Sequence, residues 1–239
     1  MKKELYLKII NDYKTVKEKF RYSDLEQVSI EVAESLKEYS FLFKKVFSFL
    51  LICFSGKLRR DGKTPLVFHS IYLTRLLYLM GEKNLDTLLL ASLHDVLEDT
   101  SIEIKDLKKQ SFMNNYEYLI PFLEILKENK QLSRTPDGKN LPERYKEHIK
   151  RLIGAPSNVI NVEIADRFSD LMDLEYILNL PAEEKNKRLI SKLLKTKSFV
   201  ENLIRGRNDI NNDLKNLFFF RVKFLEKKYN LSVKGEIIS

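Results

Sequence analysis

Residues 85–100 have the sequence Leu-Asp-Thr-Leu-Leu-Leu-Ala-Ser-Leu-His-Asp-Val-Leu-Glu-Asp-Thr, a long apolar run that ends in a group of ionisable side chains. Glu98 lies four residues after His94 and Asp99 lies four residues after Asp95, so a helix would place these pairs on one side. Burying several acids beside an imidazole costs several kcal/mol unless a cation or hydrogen-bond partners compensate. The stretch therefore predicts a core helix that carries part of a metal site.

Two further side chains complete the predicted metal site. His69 lies in the preceding helix, and a short turn at Gly81 allows the two helices to pack antiparallel. Asp166 lies in a mainly apolar helix later in the chain, so its carboxylate can enter the same pocket. Imidazole and carboxylate ligands suit Mn²⁺, Fe²⁺, Zn²⁺ or Mg²⁺, and such an ion lowers the pKa of bound water towards neutrality. The predicted ligands are His69, His94, Asp95 and Asp166.

The composition favours an all-α fold. Gly (7) and Pro (6) are scarce in 239 residues, Trp is absent, and Lys/Glu/Leu-rich stretches dominate. Thr64 is predicted to cap a helix with Pro65 at its first position, and residues 133–140 form the clearest long loop. Helical spacing of apolar residues predicts helices over 3–20, 23–38, 40–55, 65–80, 84–98, 103–110, 114–130, 142–153, 156–179, 182–205 and 208–229.

No membrane segment or signal peptide is expected. The most apolar run, residues 46–54, is far shorter than the roughly 20 residues that a bilayer requires, so it predicts a buried core helix. The first residues, MKKELYLKIINDYK, mix acids and bases and lack a small-residue cleavage site. Cys53 is the only cysteine, which excludes an intramolecular disulfide and a thiolate zinc cluster. We therefore expect a cytoplasmic protein.

The motifs resemble those of the HD superfamily, whose members share the order His, His-Asp, Asp. The longer matches are RDGKTPLVFH over residues 60–69, LHDVLEDT over 93–100 and IADR over 164–167. They resemble the hydrolase domain of RelA/SpoT proteins and the small alarmone hydrolases, over roughly residues 40–180. The resemblance implies an HD-domain helical bundle in a single domain over 1–239, with a C-terminal helical extension over about 181–239 and further helices at the N-terminus.

The resemblance also implies a reaction. The four matching ligands hold Mn²⁺ in that family, and the residues matching Glu98 and Asp99 activate water and handle protons. The implied activity is removal of the 3'-pyrophosphate from guanosine tetra- or pentaphosphate (ppGpp), which gives GDP or GTP and pyrophosphate. The expected partner is thus a phosphorylated nucleotide. The Phe218–Phe220 cluster is expected to dock on the core or on a second copy rather than to stack bases, which leaves a homodimer open.

Five residues are candidates for substrate binding. Arg60 matches a family arginine that packs near the guanine base, and a planar guanidinium suits stacking. The next position, often basic in the family, is Asp61 here, although Lys63 restores a positive charge. The family has an asparagine that helps to bind the nucleotide where this chain has Asp170. Tyr145 and Lys146 could reach a phosphate from their helix.

Three alternatives remain open from the residues. Asp61 and Asp170 depart from the alarmone-hydrolase pattern and favour another HD phosphohydrolase, such as a nucleotidase or phosphodiesterase. A non-catalytic nucleotide-binding sensor would keep the pocket, but the intact Glu98-Asp99 pair argues against it. The net charge of +8 would suit a nucleic acid, yet the basic residues are dispersed and form no arginine-rich block, so nucleic acid is not the expected partner.

Overall fold

The computed structural model describes residues 3–133 and 141–229, and these residues are α-helical without a β-strand. An isolated bridge pairs Leu58 with Pro65. The fold-class prediction is confirmed. Of the predicted loop over 133–140, residues 134–140 lie outside the described residues. None of the helices in the described ranges has the length and apolar character that a membrane crossing demands.

Contacts divide the chain into two compact units, Met1–Glu128 and Asn129–Ser239. Short 3-10 helices in the first unit span Lys37–Tyr39, Ser111–Met113 and Glu117–Leu119. Its α-helices are α1 (Lys3–Tyr22), α2 (Leu25–Glu34), α3 (Ser40–Cys53), α4 (Phe68–Leu79), α5 (Leu85–Leu93), α6 (Val96–Asp99), α7 (Ile104–Lys108) and α8 (Ile120–Leu126). The expectation of a single domain with a C-terminal extension stays a prediction.

The second unit contains five described helices. The longest, α12, buries the apolar side chains Leu189, Leu193 and Phe199. Within the unit, α10 packs against α12 and α13, and α12 packs against α9. The helices are α9 (Glu143–Leu152), α10 (Ser157–Met172), α11 (Glu175–Leu178), α12 (Ala182–Ile204) and α13 (Asn212–Lys228).

Helix α4 passes through the core of the first unit and brings His69 into it. Phe68, Ile71 and Tyr72 are fully buried, and each large apolar side chain buried in this way contributes about 1.5–3 kcal/mol. The rings of Tyr13 in α1 and Tyr72 meet edge to face at 4.9 Å. This packing fixes α4 against α1, so the histidine stands on a rigid element.

The predicted turn between α4 and α5 is confirmed. Gly81 has φ +85°, a left-handed conformation that glycine adopts without steric cost. The amide of Glu82 donates to the carbonyl of Leu77 at 3.0 Å and that of Gly81 to Tyr78 at 3.0 Å, which together form a Schellman motif. The side chain of Asn84 then caps α5 by accepting from the amide of Asp86 at 2.8 Å.

Several predicted helix boundaries are wrong. The helix predicted over 114–130 is α-helical only over Ile120–Leu126, and the one predicted over 156–179 is broken after Met172. Two further corrections concern α4 and α5. The helix predicted over 65–80 begins at Phe68, because the carboxylate of Asp61 accepts from both the amide and the hydroxyl of Thr64, which therefore does not cap it. The helix predicted over 84–98 is broken after Leu93 into α5 and α6. At this break the ring of His94 hydrogen-bonds to a main-chain carbonyl, and side chains that enter the helical ladder in this way interrupt it.

Candidate metal centre

Three of the four predicted ligands lie together in the first unit. His69 is the second residue of α4, and His94 and Asp95 occupy the break between α5 and α6. One donor atom from each of the three residues lies within 4.8 Å of the other two. Nε2 of His94 is 3.2 Å from Oδ1 of Asp95, and Nε2 of His69 is 3.7 Å from Oδ2 of the same carboxylate. Both imidazoles are buried, and the carboxylate is partly exposed.

Main-chain contacts orient the ring of His94. Its Nδ1 lies 2.8 Å from the carbonyl oxygen of Ala91, which accepts a hydrogen bond and cannot donate one. The proton of the neutral ring is therefore assigned to Nδ1, and the lone pair of Nε2 faces Asp95. A histidine that donates through one nitrogen to a carbonyl and offers the other to an ion is the usual arrangement in metal sites.

The donor set of these three residues fits a divalent metal. Two imidazole nitrogens and a carboxylate oxygen suit Mn²⁺, Fe²⁺ or Zn²⁺. Two ligands of one ion, each at about 2.0–2.2 Å, are separated by at most about 4.4 Å, which is close to the observed spread. A carboxylate that is mostly buried needs a compensating charge or hydrogen-bond donors, so this geometry supports the prediction of a metal ion here.

Glu98, one of the two predicted catalytic acids, has an unusual environment. Burial, followed by the neighbouring charge of Asp95, raises the pKa of Glu98 to about 7. The main-chain amide of Glu128 donates to Oε2 of Glu98 at 2.8 Å, which fixes the carboxylate and partly opposes the shift. A carboxylic acid whose pKa is near neutrality can both accept and release a proton under physiological conditions.

Helix α6, which carries Glu98 and Asp99, is also held by hydrogen bonds to its main-chain carbonyls. Asp99 is the last residue of α6, and the ammonium group of Lys57 donates to its carbonyl oxygen. The hydroxyl of Thr100 donates to the carbonyl of Val96 at 2.7 Å. These bonds satisfy carbonyl groups at the end of a four-residue helix that has little stability of its own.

The loop before α4 presents two predicted substrate-binding residues and hides a third side chain. Arg60 and Lys63 are exposed. Asp61, in contrast, points inwards to Lys17 at 3.2 Å and Arg21 at 2.8 Å, and its side chain is only 4% exposed. Burial opposes the ionised form, but hydrogen bonds from Thr64, Lys63 and Arg21 hold the pKa of Asp61 well below its usual range.

The remaining candidates lie in the second unit. Asp166 is partly buried in α10, with Oδ2 at 3.9 Å from Nη1 of Arg167. The guanidinium of Arg167 bonds Glu163 at 2.6 Å and covers the ring of Tyr145 at 5.2 Å. Tyr145 therefore packs within a cluster of its own unit, whereas Lys146 is exposed.

Asp170 has a partner that the sequence did not reveal. Lys192 in α12 donates to Oδ2 of Asp170 at 2.6 Å. Burial alone would raise the pKa of Asp170, but the ammonium charge of Lys192 lowers it to about 2. The negative charge that Asp170 brings to this position is thus balanced by Lys192 within the second unit.

A comparison of folds finds a similar solved structure. The solved structure of a metazoan ortholog of SpoT, a protein that hydrolyzes ppGpp and plays a role in starvation responses, matches with a TM-score of 0.58 and 19% sequence identity. The match covers 80% of this chain and 96% of that one. The chain therefore shares the fold of that structure. No family model and no curated protein sequence matches it.

The shared fold agrees with the resemblance to SpoT proteins seen in the motifs, but it leaves the individual site residues as predictions. Sequence reasoning missed three polar residues that the structure places against the candidates: Lys57, Glu128 and Lys192. Each is distant along the chain from its partner, so no spacing rule could indicate it. The pair of Glu163 and Arg167 did carry a signal, because its members are four residues apart in a helix.

Proposed function

We propose that the chain is a metal-dependent phosphohydrolase that acts on a phosphorylated nucleotide, and that it removes the 3'-pyrophosphate from ppGpp to give GDP and pyrophosphate. One observation carries the proposal: two imidazoles and a carboxylate converge within 4.8 Å, and an acid whose pKa is about 7 follows three residues later. The proposal treats the chain as one hydrolase domain with a C-terminal helical extension.

The metal is held in this proposal by His69, His94 and Asp95, with Asp166 as the fourth protein ligand. When bound, a divalent ion supplies Lewis-acid chemistry by polarising a phosphoryl oxygen and making water more acidic. We favour Mn²⁺ among the ions that suit nitrogen and oxygen donors. The bond from Nδ1 of His94 to Ala91 keeps its Nε2 in the form that can bind a cation.

Glu98 is the proposed general acid-base group, with Asp99 beside it. Near pH 7 about half of the Glu98 side chains would carry a proton in the metal-free protein, because the pKa is about 7. The amide of Glu128 holds one of its oxygens, so the other is fixed in direction. A carboxyl group with these properties can take a proton from attacking water and return it to the leaving group.

The substrate assignment is supported by charge and by the activity named for the protein of similar fold. Arg60 and Lys63 present an exposed guanidinium and ammonium on the loop before α4, which suits a guanine ring and a phosphate. We place Tyr145, Lys146 and Asp170 among the substrate contacts as well. The ion pair between Asp170 and Lys192 removes the repulsion that a lone carboxylate would exert on a polyphosphate.

The test is turnover of a nucleotide panel by purified protein with and without Mn²⁺, with products separated by ion-exchange chromatography. We expect GDP and pyrophosphate from ppGpp. Glu98→Gln should reduce kcat at least 100-fold while Mn²⁺ binding persists, since general acid-base catalysis contributes about 10²–10⁴-fold. Glu117→Gln, an exposed carboxylate that pairs with Lys108, is the control and should keep full activity.

Three results would replace the proposal. Release of inorganic phosphate from nucleoside monophosphates, without action on ppGpp, would indicate another HD phosphohydrolase. Tight binding of a nucleotide with equal background rates for wild type and Glu98→Gln would indicate a sensor. Failure to bind any divalent ion would remove the metal centre itself.

A further inference from the structure

Lys57 lies in the connection between α3 and α4, residues 54–67, and both its main-chain amide and its carbonyl are hydrogen-bonded. Its amide donates to the carbonyl of Phe54 at 3.1 Å, and its carbonyl accepts from the amide of Leu66 at 2.8 Å. The neighbouring pair, Leu58 and Pro65, forms the isolated bridge. The backbone of Lys57 is therefore fixed relative to the turn that leads into α4.

The side chain of Lys57 reaches a different element. Its ammonium group donates to the carbonyl of Asp99 at the end of α6. The side chain is partly buried, so this bond is shielded from competing water. Lys57 thus links the turn before α4 to the end of α6.

Both linked segments deliver predicted metal ligands. On one side, the carbonyl of Leu66 accepts from the amide of His69 at 3.1 Å. On the other, the carbonyl of Asp95 accepts from the amide of Asp99 at 2.7 Å. A short series of hydrogen bonds therefore runs from His69 through Lys57 to Asp95.

We propose that Lys57 is a positioning residue that sets the separation between His69 and Asp95 in the metal centre. The inference rests on the proposed function, because it assumes that these side chains bind one ion. Lys57 acts through the main chain of Asp99 and needs no contact with substrate. Groups that hydrogen-bond directly to metal ligands typically contribute about 10–100-fold in metal affinity, so Lys57, which acts through Asp99, should contribute at the lower end of this range.

Electrostatics alone predicts the opposite result for the removal of Lys57. A positive charge near a cation site repels the ion, so its loss should strengthen metal binding. A positioning role predicts weaker binding, because α6 and the turn before α4 would no longer be held together. The sign of the change in affinity therefore separates the two roles.

The experiment measures Mn²⁺ affinity of the full chain by electron paramagnetic resonance of free Mn²⁺. We expect Lys57→Met to raise the Kd about 10-fold. Lys57→Arg keeps a charged donor of similar reach and should stay within about 3-fold of wild type. Lys45→Met removes an exposed lysine on α3 with the same change in charge, and should leave the affinity unchanged. Circular dichroism checks that each variant is folded, and Lys57→Gln replaces Lys57→Met if the latter is not.

Equal or tighter Mn²⁺ binding by folded Lys57→Met would overturn the inference while the metal centre stands. An equal loss in Lys45→Met would overturn it too, because the effect would then not depend on the position of Lys57. If wild-type protein binds no Mn²⁺, the proposed function fails and the inference falls with it.

Discussion

Replacement of Asp61 by asparagine should destabilise the protein strongly, even though Asp61 lies in a loop. Its carboxylate accepts from the amides of Lys63 at 2.9 Å and Thr64 at 2.8 Å, and it faces the buried cations Lys17 and Arg21. The new side chain could keep the two amide bonds through its oxygen. Its amide group, however, would turn a donor towards two cations that are themselves donors.

The expected loss is about 3 kcal/mol of unfolding free energy at pH 7. Removal of one partner from a buried ion pair typically costs about 3–5 kcal/mol, because the other charge stays buried. The lower end of this range applies because Arg21 keeps two other acceptors when Asp61 is replaced: it donates to Glu18 at 2.9 Å and to Thr64 at 2.8 Å. For a chain of this length, that loss lowers the Tm by roughly 6–12 °C.

The effect of Asp61→Asn should depend on pH in a defined direction. The pKa of Asp61 is lowered in the folded state, so its contribution is fully present above the unfolded value of about 4. As the pH falls below about 4 towards the folded pKa, the contribution is lost. The difference between wild type and Asp61→Asn should therefore shrink between pH 5 and pH 3.

Urea unfolding followed by circular dichroism at these pH values is the assay. Glu31→Gln is the matched control. Glu31 in α2 forms an exposed ion pair with Lys19, which lies in α1 like Lys17 and Arg21. This substitution should leave the unfolding midpoint unchanged. Adding Lys17→Met to Asp61→Asn should recover part of the loss, since a buried cation is removed with its partner. A loss below about 1 kcal/mol in Asp61→Asn, or one independent of pH, would refute the reasoning.

Three more predictions concern the two units. Glu98→Gln should stabilise the metal-free protein by about 1–2 kcal/mol at pH 8 but not at pH 5. The pKa of Glu98 is raised in the folded state, so its ionisation destabilises the wild type as the pH rises. Urea unfolding in the presence of EDTA measures the difference. Mn²⁺ at about 100 times its Kd should stabilise the wild type by about 2.7 kcal/mol, and His94→Ala should abolish the thermal shift. Lys192→Met should cost about 1–2 kcal/mol in urea unfolding and raise the pKa of Asp170 from about 2 towards its usual value, which carbon-13 NMR would detect.

The sequence predicted what depends on local spacing. Helix α5 begins as predicted because Asn84 is a local cap, and the turn at Gly81 forms because it needs only a left-handed residue after a helix. His94 and Asp95 are adjacent in the chain, so their proximity was certain. The approach of His69 followed from the antiparallel packing of two consecutive helices.

The remainder depends on contacts between distant residues. Thr64 resembles a helix cap in the sequence, but its amide and hydroxyl both donate to the carboxylate of Asp61. Asp61 in turn pairs with Lys17 and Arg21, which precede it by 44 and 40 residues. Nothing in the local pattern around position 61 indicates these cations. Sequence reasoning therefore treated Asp61 as a departure from a family pattern, whereas the structure gives it a role in folding.

The charges around three acids distinguish the carboxylates that stabilise the fold from the one proposed to transfer protons. Asp61 and Asp170 stand beside cations, and their pKa values are lowered, so each remains ionised and stabilises the fold at neutral pH. Glu98 stands beside Asp95 in a partly buried position, and its pKa is raised to about 7, which gives no stability at neutral pH. A group kept in an environment that disfavours its charge is a candidate for proton transfer, since its retention needs an explanation other than folding. Because the three carboxylates look alike in the sequence, only their partners distinguish them, and those partners favour Glu98 as the proposed acid-base group.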